Sequence, residues 1–63
     1  MEVNVEKLKR ELKVCNMTVE DLADVLDRSP QSIYYIIKNH KTTMDTLADI
    51  GKALGIDPKD LLI

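Results

Sequence analysis

Thr18-Val19-Glu20-Asp21-Leu22-Ala23-Asp24-Val25-Leu26-Asp27-Arg28-Ser29-Pro30-Gln31-Ser32-Ile33 is the stretch on which the fold turns. A threonine hydroxyl at Thr18 suits the start of a helix, where it satisfies orphan N–H groups. Asp21, three residues on, completes an acidic variant of the capping box, and Met17 and Leu22 stand at the two staple positions. Val19, Leu22, Ala23 and Leu26 then repeat at helical spacing as an apolar face. Asp27 and Arg28 make a short turn. Ser29-Pro30 starts the next helix, the serine hydroxyl expected as its cap and the proline losing no hydrogen bond in a first turn. So short a connection forces the two axes to cross steeply and pushes one face of the later helix outward.

The flanks read as helices too. Val5, Leu8, Leu12 and Cys15 step by three and four residues, and Asn16-Met17 break the pattern. Ile33, Ile36 and Ile37 form the inward face of the helix after Pro30, with Asn39 as its left-handed stop and residues 39–42 as a loop. Thr42 or Thr43 caps a further helix with inner face Leu47, Ile50, Gly51 and Leu54, ended by Gly55. Asp57-Pro58-Lys59-Asp60 opens a fifth helix of a single turn, where Ile56 can staple onto Leu61. No stretch alternates with period two for long enough to make a strand.

Composition bounds what this can be. Sixty-three residues hold one small core, expected as a single domain over residues 1–63. At 44% hydrophobic a core is affordable, but with no Phe or Trp it must be aliphatic. One cysteine excludes a disulfide framework and a multi-cysteine zinc site; Cys15 reads as a small buried hydrophobe. No apolar run suits a membrane span and no secretory pattern opens the chain, so a cytoplasmic protein is expected. No Ser–His–Asp or Cys–His pairing and no glycine-rich phosphate loop is indicated. Neither catalysis, a cofactor, a metal nor a small-molecule substrate is expected.

The net charge of -2 argues at first against a nucleic-acid partner. Its distribution argues otherwise. Residues 19–27 carry -4 with no base, whereas residues 28–44 carry +3, from Arg28, Lys38 and Lys41, with no acid.

The quoted segment resembles the helix-turn-helix of the Cro-like, lambda-repressor-like (XRE-type) family. The resemblance rests on Thr18 as cap, the Leu22-Ala23 pair, Leu26 before the turn, Ser29 after it, and Ile33 and Ile36 as buried positions. Downstream, Thr46-Leu47, Ile50, Ala53-Leu54-Gly55-Ile56 and Leu61-Leu62 look like the family's fourth and fifth helices, so it spans residues 5–62. It implies an all-α, compact five-helix bundle with the helix-turn-helix over residues 18–38. It also implies sequence-specific binding of double-stranded DNA by a small transcriptional repressor or other regulator. The sequence departs from the family at Asp27, where glycine is usual, at Arg28, where a small apolar plug is usual, and at Val19, where a glutamine often helps hold a phosphate. Asp tolerates positive φ, so the turn survives.

On that reading the third helix enters the major groove and reads base edges from its N-terminal half. Gln31 has the amide geometry for an adenine edge, Ser32 can donate, and Tyr34 and Tyr35 offer ring area for a thymine methyl. Tyr35 is the better choice for the outward ring, since one tyrosine could instead lean into the aliphatic core. Ser29, Pro30, Lys38, His40 and Lys41 are the backbone-contact candidates. Each also has an ordinary role: Pro30 as a helix starter, His40 as a solvent-exposed loop histidine, and the acids of the second helix as favourable first-turn charge. One such module makes few phosphate contacts, so a homodimer on DNA is expected. Candidate dimer contacts are Ile56, Leu61, Leu62 and Ile63, with Met1, Val3 and Val5, each of which could instead belong to the core.

A second function class stays open. The acidic sum, Val19, and a Val25 exposed beside Tyr34 and Tyr35 would suit a protein-interaction module on the same scaffold, such as an antirepressor, antitoxin-like partner or adaptor. A positive rim around the third helix favours DNA; a neutral aromatic patch favours a protein.

Overall fold

The computed structural model describes residues 2–63; Met1, one of the candidate dimer contacts, lies outside them. Four α-helices follow in order: α1 (Val5–Val14), α2 (Val19–Val25), α3 (Pro30–Asn39) and α4 (Met44–Leu54). The expected fifth helix is instead a 3-10 turn, Pro58–Leu61. Its cap is as expected, Asp57 Oδ1 accepting from the Lys59 amide at 3.0 Å. Leu62 is extended, however, which closes the element after four residues, a length at which 3-10 geometry is common.

Local chemistry explains the helix ends. The Asn4 side chain accepts from the Lys7 amide at the start of α1, and Asn16, at φ 55°, ends that helix. The capping box of α2 is reciprocal: Thr18 Oγ1 accepts from the Asp21 amide at 3.1 Å, and Asp21 Oδ2 accepts from the Thr18 amide at 3.0 Å. Asp27 takes φ 56°, the glycine-like conformation the departure at this position required. Thr43, rather than Thr42, caps α4, and Gly55 ends it at φ 73°.

Two local expectations need correcting. Ser29 makes no side-chain cap bond. Its carbonyl holds the first turn of α3 instead, accepting from the Ser32 amide at 3.1 Å and the Ser32 hydroxyl at 2.7 Å. The left-handed stop also falls one residue late, on His40 at φ 61°. Asn39 stays helical while its side-chain amide donates back to the Tyr35 carbonyl.

The core is aliphatic, as the composition required. Leu8, Leu22, Ile33, Leu47, Ile50 and Leu61 are fully buried, one or more from every element. Gly51 lets the last segment cross α4 closely, since a Cβ there would lie 2.7 Å from the Ile56 carbonyl oxygen. Residues 2 and 3 stitch the ends together. Glu2 bridges Lys41 and Val3 bridges Leu62, with Val3 N–H donating to His40 O and Asn4 N–H to Leu61 O, both at 2.7 Å. These are isolated bridges, and no strand forms among the described residues.

That stitching draws three of the candidate dimer contacts, Val3, Val5 and Leu61, into the core. Val3 and Leu61 are fully buried and Val5 nearly so, while Ile56 and Leu62 are half-buried against the core. Ile63 alone of the named C-terminal residues is exposed. A 63-residue chain with no large aromatic in its core needs its terminal aliphatics inside. Cys15 is half-buried, its thiol 3.7 Å from the Leu54 carbonyl.

Candidate nucleic-acid interface

The turn of residues 26–29 sets α3 across α2 and leaves one face of α3 uncovered. Ile33 and Ile36 fill the core, so Gln31, Tyr34, Tyr35 and Lys38, on the other side of the helix, are exposed. Beside this face the chain returns through residues 40–43 into α4. Between α3 and that return lies an open groove of about 610 Å³.

Gln31, Ser32 and Tyr35 line it from α3, Ser29 and Arg28 from the turn, and Lys41, Thr42, Thr43 and Thr46 from the return and α4. The groove therefore gathers three of the four base-reading candidates and two of the five backbone candidates. The first turn of α3 carries no acid, so its positive dipole end is left unneutralised. No carboxylate lines the groove, in a chain with eleven.

The remaining candidates stand apart. Tyr34 turns toward α2, where its hydroxyl donates to Glu20 Oε2 at 2.9 Å. That bond, with lesser contributions from desolvation and the carboxylate charge, raises the Tyr34 phenol above its ordinary pKa. Neither tyrosine enters the core, and Tyr35 is the more exposed, at 65% against 48%. Pro30 is half-buried at the first position of α3. Lys38 is exposed in the last turn of α3, and His40 is exposed while its backbone N–H donates to Ile36 O at 2.8 Å.

Sequence reasoning passed over Arg28 and the threonines as site residues. In the sequence Arg28 shows only as a charge of the acid-free window and as a departure from the family's apolar plug. Its side chain reaches both the groove and Asp49 on α4, Nη2 to Oδ2 at 3.8 Å. In the sequence Thr43 and Thr46 show only as a cap and part of a helix; α3 and α4 both pack on α2, and the groove beside α3 is where these threonines and Gln31 meet.

Elsewhere the described residues hold no cluster of three or more metal-ligating side chains, and no helix is long and apolar enough to cross a membrane. A second open groove, about 410 Å³, lies between α2 and α4 and is lined by Val25, Leu26, Asp49, Lys52 and Ala53. Val25 is 61% exposed there.

Residues 7–63 match the family model of the Cro/C1-type HTH DNA-binding domain. No curated protein and no solved structure gives a significant match to the chain.

Proposed function

From the premise that the chain belongs to the Cro/C1-type helix-turn-helix DNA-binding domain family, we propose that it is a sequence-specific DNA-binding regulator, acting as a repressor, whose α3 reads the major groove. The observation that carries this reading is the groove beside α3, with two cations, no carboxylate and an amide-bearing reader in one place.

Gln31, Ser32 and Tyr35 read base edges, Gln31 through the bidentate amide pairing that adenine accepts. Ser29 and Lys41 hold the backbone from within the groove, and Lys38 and His40 from its far end, while Pro30 starts the helix at the depth these contacts need. Tyr34 adds ring surface at the α2 side. The Cα atoms span only 23 × 21 × 19 Å, whereas successive major grooves on one face of DNA lie about 34 Å apart, so the chain acts as a homodimer with one copy per half-site. Ile63 and the exposed edge of Leu62 contribute to that contact.

Binding to a duplex selected from a random pool tests the reading. Gln31→Ala relaxes preference at one base position, and Lys38→Ala or Lys41→Ala weakens binding to all sequences, each lowering the salt slope by about 0.9. Equal affinity for selected and random duplexes at low salt defeats it.

Val25 and the second groove favour a protein partner on α2 and α4. No residue of α3 lines that groove, so a partner there would accompany DNA, although the two grooves meet where Asp49 pairs with Arg28.

A further inference from the structure

We propose that Asp49 is a built-in competitor for DNA: in the free protein it holds Arg28, and on binding a DNA phosphate takes its place. The inference rests on the DNA-binding reading and adds to it a contact residue and a brake on that contact.

Arg28 is anchored at its backbone and loose at its tip. Its amide donates to the Ala23 carbonyl at 2.9 Å, which fixes where the side chain leaves the turn. The side chain runs along the groove that Gln31, Ser32 and Lys41 also line, and its guanidinium ends 3.8 Å from the Asp49 carboxylate. Thr46, three residues before Asp49, lines the same groove, and Asp49 itself lines the neighbouring groove between α2 and α4, so the pair reaches from one groove to the other. Both partners are open to water, with side-chain exposures of 37% and 58%. An exposed pair at this separation holds weakly. A phosphate offers the same guanidinium a bidentate contact and arrives with its neighbours along the strand. In a chain of net charge -2, a cation held back by its own carboxylate lowers affinity for every duplex, the random ones included.

The test is a double-mutant cycle read by fluorescence anisotropy, on a pool-selected duplex and a random-sequence duplex across a series of salt concentrations. Asp49→Asn tightens binding to both, roughly two- to fivefold, the range an exposed pair can hold back. Arg28→Ala weakens both and lowers the salt slope by about 0.9, one phosphate contact. In the Arg28→Ala background, Asp49→Asn has no effect. Arg28→Lys keeps a charge on the turn and restores the slope, which separates a lost contact from a disturbed turn. The same gain from Asp49→Asn with and without Arg28 means general relief of negative charge and overturns the proposal, as does an unchanged slope in Arg28→Ala. Absence of binding to any duplex by the native protein overturns the DNA-binding reading itself, and this proposal with it.

Discussion

The Tyr34 hydroxyl donates to a Glu20 carboxylate oxygen at 2.9 Å, tying α3 to the first turn of α2 across fourteen positions of sequence. The two adjacent tyrosines thereby part company: Tyr34 braces the helix pair and Tyr35 faces the groove. The bond needs the phenol proton, and the carboxylate that accepts it raises the Tyr34 pKa. A group whose folded pKa is raised stabilises fully below its ordinary value, and that contribution is lost as pH rises through the folded value. In a Tyr35→Phe background, where one tyrosine remains, Glu20→Ala should bring the tyrosinate absorbance midpoint down toward the ordinary tyrosine value. An unmoved midpoint means the bond is not populated in solution.

The two helix starts of the central pair should respond differently to alanine. Thr18→Ala removes a hydroxyl that accepts from Asp21 N–H and should cost about 1 kcal/mol in urea unfolding. Ser29→Ala removes a hydroxyl that caps nothing and should stay within about 0.5 kcal/mol, showing its effect in DNA affinity instead. Equal losses of stability would contradict the carbonyl-held first turn of α3.

Helix propensity favours Gly51→Ala by roughly 1 kcal/mol in an exposed helix. Here the new Cβ would meet the Ile56 carbonyl oxygen at 2.7 Å and Pro58 at 3.1 Å, so the last segment must lift off α4. Overpacking of this kind costs about 1–3 kcal/mol. The net change in thermal unfolding should therefore be destabilising. An increase in Tm would show that the 3-10 segment is only loosely seated.

Leu61 and Ile63 differ in burial more than in chemistry. Leu61→Ala should cost about 2–5 kcal/mol, a large share of the stability a chain this size can hold, and calorimetry should show it whatever the protein concentration. Ile63→Ala should leave the monomer's stability within about 0.5 kcal/mol. A loss in Leu61→Ala that disappears on dilution would return Leu61 to an intermolecular contact.

Most of the fold was legible because helix signals are local. Thr18 with Asp21, Ser29-Pro30, Gly55 and Asp57-Pro58 mark element ends within four residues, and the apolar faces they bound are the buried faces observed. The misreadings lie where local rules compete. Asn39 and His40 both tolerate the left-handed region, and the Asn39 bond to the Tyr35 carbonyl decides between them. Asp57-Pro58 begins an α-helix and a 3-10 turn equally well, and the extended Leu62, bridged to Val3, decides for the shorter one.

The candidate site divides in the same way. The acid-free window of residues 28–44 was visible in the chain and announced a face of one sign. Which of its residues share a groove was not visible, because that depends on α3 and α4 both packing on α2, which brings Thr43, Thr46 and Asp49 to side chains up to twenty-one positions away.

Thus the chain alone specified the starts of α2 and α3, that of α4 to within one residue, the aliphatic inward faces and the central helix-turn-helix, since capping and periodicity act over a few residues. Only the tertiary structure decided that Leu61 and Val3 are core, that Tyr34 binds Glu20 while Tyr35 lines the groove, and that Arg28 rests on Asp49. Burial and long-range pairing depend on which elements meet, and no short stretch of chain carries that information.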